Sequence, residues 1–160
     1  MAIEQGQPAP EFKLYDDQRE AFRLSDLQGE KPVLLLFFPG AFTSVCTTEL
    51  NTVNNELEEF GGADAQIVGI STDSPFVLNE FKSVHKLQFP LLSDHYGSVS
   101  ATYGAKYDND FTDMRLDRIS KRAAFVIDEE GIVQYAEVLE NAGKMPDFNA
   151  IKQVLQDISA

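Results

Sequence analysis

An α/β fold is predicted for this chain: one domain over residues 1–160, with a central mixed sheet flanked by helices and a β-hairpin near the N-terminus. Three observations predict it. Two short apolar runs, at 32–38 and 65–71, have the length and continuity of strands buried on both faces. Segments with apolar residues every three or four positions alternate with them, as helices laid against a sheet do. Late in the chain, Asp128-Glu129-Glu130-Gly131 joins two strand-like runs as a hairpin, which makes the sheet mixed.

The elements follow in order. Residues 1–10 read as an extended leader, because Pro8 and Pro10 exclude regular helix. Phe12–Tyr15 and Ala21–Leu24 read as two short strands around Asp16-Asp17, and Ser25–Gly29 as one helical turn ended by glycine. Pro32–Phe38 is a central strand. Thr43–Phe60 turns helical, with Leu50, Val53, Leu57 and Phe60 on one stripe and Gly61-Gly62 as the stop. Ala65–Ser71 is a second buried strand. Asp73-Ser74-Pro75 opens a helix carrying Phe76, Leu78, Phe81 and Val84. Phe89–Leu92 reads as a short edge strand and Tyr96–Tyr103 as a short helix ended by Gly104. Ala123–Ile127 and Ile132–Val138 form the hairpin, and Asp147–Ile158 is a final helix with Phe148, Ile151, Val154 and Leu155 as its stripe.

Composition narrows the function. With 43% hydrophobic residues the chain has the material of a folded core, so disorder is not expected. The longest apolar run, Val33–Phe38, is far short of a membrane span. Thirteen basic against 26 acidic residues, a net charge of −13, argue against nucleic acid and anionic membranes as partners. The first residues show no basic stretch followed by an apolar one, so a cytoplasmic location is expected. One cysteine and two histidines permit no internal disulfide and make a poor metal site.

The sole cysteine, Cys46, stands where an apolar strand ends in Pro39-Gly40 and a hydroxyl-rich helix begins. A helix N-terminus offers unpaired N–H groups and a positive field, and both favour a thiolate. With Thr43 as the cap, Cys46 is the third helical residue. Free cysteines are often buried and inert, but this setting favours reactivity. Thr43 could also donate a hydrogen bond to a thiolate or a bound oxygen substrate. Glu49, three residues on, shares a helix face with Cys46 and would disfavour a thiolate unless a cation sat between them. Arg122, at the entry to a strand, is the attractive cation; its alternative is a solvent-exposed strand end, and Arg115, Arg118 and Lys121 compete. Phe42 reads as pocket wall. His85 and His95 leave open a Cys–His hydrolase, and a redox-inactive binding or chaperone-like module is a further alternative.

The run Pro39-Gly40-Ala41-Phe42-Thr43-Ser44-Val45-Cys46 resembles the peroxiredoxin signature of proline, three residues, threonine, two residues, cysteine. Glu49 extends it, and Arg122 falls where that family carries an arginine. Pro8–Phe12, Gly69–Asp73, Phe89–Asp94 and Phe125–Asp128 spread the resemblance along nearly the whole chain. It is most similar to the one-cysteine group related to the alkyl hydroperoxide reductase E and bacterioferritin-comigratory branches. The resemblance implies a thioredoxin-like fold and a thiol-dependent peroxidase without metal or organic cofactor. It implies Cys46 as the attacking thiolate, and Thr43 and Arg122 as holders of the peroxide, helped by the N–H groups of Val45 and Cys46. Pro39 would shield the thiolate and Glu49 would hold Arg122. Family members with a resolving cysteine carry it five positions on, where this chain has Asn51, or near the C-terminus, where it has none. An external thiol or thioredoxin-like reductant is therefore implied. A homodimer is implied as well, with Lys106–Met114, polar with exposed aromatics, as a candidate contact.

Overall fold

The computed structural model describes residues 3–109 and 112–159. Its core is β3 (Val33–Phe37), whose five residues are all buried. The continuous apolar run follows from that position. Leu34, Leu36 and Phe38 enter one core with Ile67, Leu50, Val53, Leu78 and Phe81, while Val33, Leu35 and Phe37 enter a second with Val68, Ile70, Phe125 and Tyr103. On either side of β3 run β4 (Gln66–Ser71), parallel to it, and β6 (Arg122–Ile127), antiparallel. The hairpin brings back β7 (Val133–Leu139) beside β6, with a register irregularity at Val126/Ile127.

The other edge departs from expectation. The strand expected at Phe89–Leu92 is β5 (Leu91–Ser93), and it is not an edge. It pairs in parallel with β4 and antiparallel with β1 (Lys13–Asp16), so β2 (Ala21–Arg23) takes the edge in a seven-stranded order β2-β1-β5-β4-β3-β6-β7. Buried Asp17 completes the join, accepting from Leu91 N–H at 3.0 Å and facing Lys82 Nζ at 3.4 Å. The leader is pinned but not extended throughout: Gln7 N–H turns back to Glu4 C=O at 3.2 Å with Gly6 at φ 92°, Pro8 bridges Ile132, and Ala9 N–H donates to Gly131 C=O at 2.9 Å, while residues 1 and 2 lie outside the described residues.

Among the described residues four helices cover the sheet. The first, α1 (Ser44–Asn55), is shorter than the expected 43–60. Glu56 leaves helical geometry at φ −121°, ψ 32°, and a tighter turn, Leu57–Phe60, ends at Gly61 with φ 100°. The second, α2 (Pro75–His85), starts with Pro75 at N1 and Ser74 Oγ accepting from Val77 N–H. Leu78 and Phe81 are buried in it, but Phe76 and Val84 are exposed, so the buried stripe is narrower than the apolar pattern implied. A short α3 (Ser98–Thr102) follows Gly97, and buried Asp94 receives Val99 N–H, Ser100 N–H and Ser100 Oγ. The last, α4 (Phe148–Ser159), lays Ile151 and Leu155 on the core that holds Cys46, with Asp147 Oδ1 accepting from Ala150 N–H at its start. None of the described helices is long and apolar enough to cross a membrane.

Gly69 on β4 has no room for a side chain. A Cβ there would stand 2.7 Å from Leu91 Cδ2 and 3.3 Å from Phe38 Cε1, and both side chains are fully buried. Gly69→Ala is expected to lower stability by about 1–3 kcal/mol through overpacking, measured by urea unfolding. A variant as stable as the parent would show that Leu91 has room to move.

Candidate active site

The site forms where the chain leaves β3. Phe38 N–H still reaches Ile70 C=O at 2.9 Å, after which Pro39 to Phe42 make the turn into α1. Phe42 is left-handed at φ 65°, and Ala41 N–H donates to Asp73 Oδ2 at 2.8 Å. Thr43 holds the cap position with extended dihedrals, which puts Cys46 third in the helix, as the residue pattern predicts. The first helical bond runs from Thr47 N–H to Thr43 C=O, so the N–H groups of Val45 and Cys46 lie ahead of it.

Thr43 does not cap with its side chain. Its Oγ1 lies 2.7 Å from Gly40 C=O, which can only accept, so the hydroxyl proton goes there. In this arrangement the hydroxyl does not donate to the Cys46 sulfur, whose donor is Arg122.

Sheet topology, not sequence proximity, brings in the cation. Because β6 runs antiparallel to β3 with Phe37 opposite Ala123, Arg122 stands at the end where β3 gives way to the cysteine loop. Arg122 is 1% exposed, which excludes the solvent-facing strand end. One nitrogen, Nη1, donates to Glu49 Oε1 at 2.7 Å and to Cys46 Sγ at 3.2 Å. Nη2 donates to Ala142 C=O at 2.8 Å. Its sequence competitors stand elsewhere: Arg118 faces Asp117 and Lys121 faces Glu140, and Arg115 is exposed at φ 63°.

Cys46 and Glu49 are buried with it, at 1% and 0% exposure. Arg122 Nε and Glu49 Oε2 have no hydrogen-bond partner among the described residues. Burial pushes the Glu49 carboxyl up from 4.5 to about 7, and the charge and hydrogen bond of Arg122 offset this only in part. Burial works against the Arg122 charge too, but Glu49 and the Cys46 sulfur outweigh it and hold the guanidinium above its ordinary value. One cation thus faces two acidic groups in a buried pocket.

The remaining candidates surround this centre. Pro39 and Val45 are half-buried, and Phe42 is 52% exposed with its ring 5.1 Å from Phe81. His85 lies against Phe81 and 3.4 Å from Asn51, while His95 faces Thr72 C=O. Among the described residues the hydrogen bond to Sγ comes from Arg122 rather than a histidine, so the geometry of a Cys–His hydrolase is not present. Sequence reasoning passed over Asp73 and Tyr107. Asp73 anchors the cysteine loop, and its signal was a polar triplet at the end of β4. Tyr107, in the stretch expected to show exposed aromatics, is buried, with its hydroxyl on Glu140 C=O at 3.1 Å. Asp110 and Phe111 of that stretch lie outside the described residues.

Similarity to known proteins agrees with this geometry. Residues 5–136 match the AhpC/TSA family. The chain is 35% identical over 157 residues to alkyl hydroperoxide reductase E of Mycobacterium tuberculosis, covering 97% of both chains. It is 38% identical over 133 residues to a putative peroxiredoxin, bcp, of Coxiella burnetii, covering 83% of this chain and 87% of that one. Among solved structures, peroxidoxin BcpB from Mycobacterium tuberculosis superposes with a TM-score of 0.84 at 31% identity, covering 99% of each chain. The fold is accordingly thioredoxin-like. The chain belongs to the AhpC/TSA family: it is a peroxiredoxin of the alkyl hydroperoxide reductase E and Bcp-like branch, a thiol-dependent peroxidase working through its single cysteine.

Proposed function

We propose that Cys46 reduces hydrogen peroxide and organic hydroperoxides by a one-cysteine cycle, with Arg122 and Thr43 holding the substrate. The observation that carries this reading is the shared Nη1 of Arg122, which reaches the cysteine sulfur and the Glu49 carboxylate at once. The thiolate attacks the nearer peroxide oxygen. The S–O bond forms as the O–O bond breaks, and the leaving oxygen takes a proton to become water or an alcohol. The guanidinium stabilises the charge moving onto that oxygen, together with the N–H groups of Val45 and Cys46. Thr43 Oγ1, its own proton held by Gly40, accepts from the peroxide O–H and so fixes which oxygen is nearer. Glu49 keeps Arg122 in plane, Pro39 limits water at the sulfur, and Phe42 forms the apolar rim against which an organic peroxide rests.

Cys46 is left as a sulfenic acid. With no second cysteine in the sequence, an external thiol, small or on a thioredoxin-like protein, forms a mixed disulfide and releases water. A second thiol then frees Cys46 and leaves as the disulfide. A free thiol that depends on such a reductant suits a reducing compartment such as the cytoplasm. A homodimer is part of the same proposal, with the exposed Phe42, Met114 and Leu116 as apolar surface for a second copy.

Purified reduced protein mixed with one equivalent of hydrogen peroxide is expected to consume it without further turnover, and dimedone present from the start should label Cys46 stoichiometrically before it can oxidise further. Adding a low-molecular-weight thiol or a thioredoxin system should restore turnover. Sustained turnover without added thiol would exclude the one-cysteine cycle.

A further inference from the structure

The peptide unit between Gly40 and Ala41 is held on both sides. Its C=O accepts from Thr43 Oγ1 at 2.7 Å, and its N–H donates to Asp73 Oδ2 at 2.8 Å. Asp73 is itself fixed. Its Oδ2 also accepts from Ser71 Oγ at 2.7 Å, its N–H donates to Ser71 Oγ at 3.2 Å, and its C=O accepts from Ser93 Oγ at 2.6 Å. Ser71 and Ser93 are register partners on β4 and β5, so the carboxylate rides on the sheet while the peptide it grips rides on the cysteine loop.

An anionic acceptor on an amide N–H polarises the whole amide and strengthens its C=O as an acceptor. It also fixes the plane of that peptide. Both effects bear on Thr43, whose exposed hydroxyl would otherwise rotate and offer either its proton or its lone pairs. We propose that Asp73 is a positioning residue for peroxide reduction: through the Gly40–Ala41 peptide it holds the Thr43 hydroxyl with its proton turned away and its lone pairs toward the peroxide. This rests on the reading of Thr43 as a peroxide-holding group. Asp73 does not touch substrate or sulfur, so its removal should spare reactions of Cys46 that do not use Thr43.

The test compares two reactions of the same thiol: stopped-flow oxidation by hydrogen peroxide, and alkylation by iodoacetamide, which needs the thiolate but has no peroxide to orient. Asp73→Asn keeps shape and removes charge. It is expected to slow peroxide oxidation about tenfold and to leave alkylation within about twofold of the parent, across its pH profile. In a Thr43→Val background the same substitution should have no further effect on peroxide oxidation. An unchanged peroxide rate in Asp73→Asn, an equal loss in the Thr43→Val background, or a parallel loss of alkylation would each overturn the relay. A Thr43→Val protein with the full peroxide rate would instead remove the role given to the hydroxyl, and the relay with it. One measurement needs no variant: the Ala41 amide should exchange slowly with solvent deuterium, and rapid exchange would show that Asp73 does not hold it.

Discussion

Arg122→Met is expected to slow oxidation of Cys46 by hydrogen peroxide by about 100- to 1,000-fold, the usual effect of removing a positioned donor from a developing oxyanion. The loss should fall on the chemical step, because Nη1 touches the sulfur at which the new bond forms. Arg122→Lys should recover only part of it, since one ammonium cannot serve Glu49, Cys46 and Ala142 together as the planar fork does. The methionine variant should also be destabilised by about 3–5 kcal/mol at pH 8, where Glu49 without the cation must either stay buried as a lone charge or take up a proton that solution at that pH gives up only at a cost. That cost should shrink toward pH 5, because Glu49 without Arg122 takes up a proton more readily still and a neutral carboxyl tolerates burial. Stopped-flow rates and urea unfolding at the two pH values check both parts. A variant within threefold of the parent rate would remove Arg122 from the machinery.

The parts of this site were legible in the sequence to different degrees, and the division has a physical basis. Cys46, Thr43 and Glu49 are fixed relative to one another by one strand, one turn and the first turns of one helix, so spacing sufficed to place them. Arg122 stood out only as a cation at a strand entry; its burial depends on β6 lying antiparallel to β3, a non-local pairing that spacing does not encode. The same reason explains β5. Three residues after a proline look like an edge, and only the return of the N-terminal hairpin onto β5 makes that strand internal. Thr43 is a different kind of case. The chain pattern located its backbone correctly, but the choice between capping the helix and donating to Gly40 is set by the loop, and the loop is held by Asp73 from another strand. The leader shows the converse: its prolines keep it out of a helix, a turn at Gly6 breaks the expected extended run, and the late hairpin gives it a partner to pair with.

Glu49 gives the second large effect, and its sign is the reverse of what a buried ion pair suggests. In the folded protein the carboxyl is pushed up to about 7 from 4.5, so between those values the folded chain keeps a proton that the unfolded chain has released. Stability from this group is therefore fully present below pH 4.5, declines as pH rises, and levels off above pH 7. The full decline is about 3 kcal/mol. Many of the 26 acidic residues titrate over part of this range, so the difference between wild type and Glu49→Gln is the quantity to follow. The two proteins should be of similar stability at pH 4.5, with the glutamine variant more stable by about 3 kcal/mol at pH 8, read from urea unfolding across that range. The glutamine oxygen can still accept from Arg122 Nη1, so the pocket need not collapse. It cannot supply a charged grip on the guanidinium, and peroxide oxidation should be slower by about tenfold even as the fold gains stability. A wild type that gains on the variant between pH 5 and 8 would mean that the pair with Arg122 outweighs the burial of the charge. The two changes expected together, a firmer fold and a slower enzyme, would locate the reason for a buried carboxylate at this position in the chemistry of Cys46 rather than in stability.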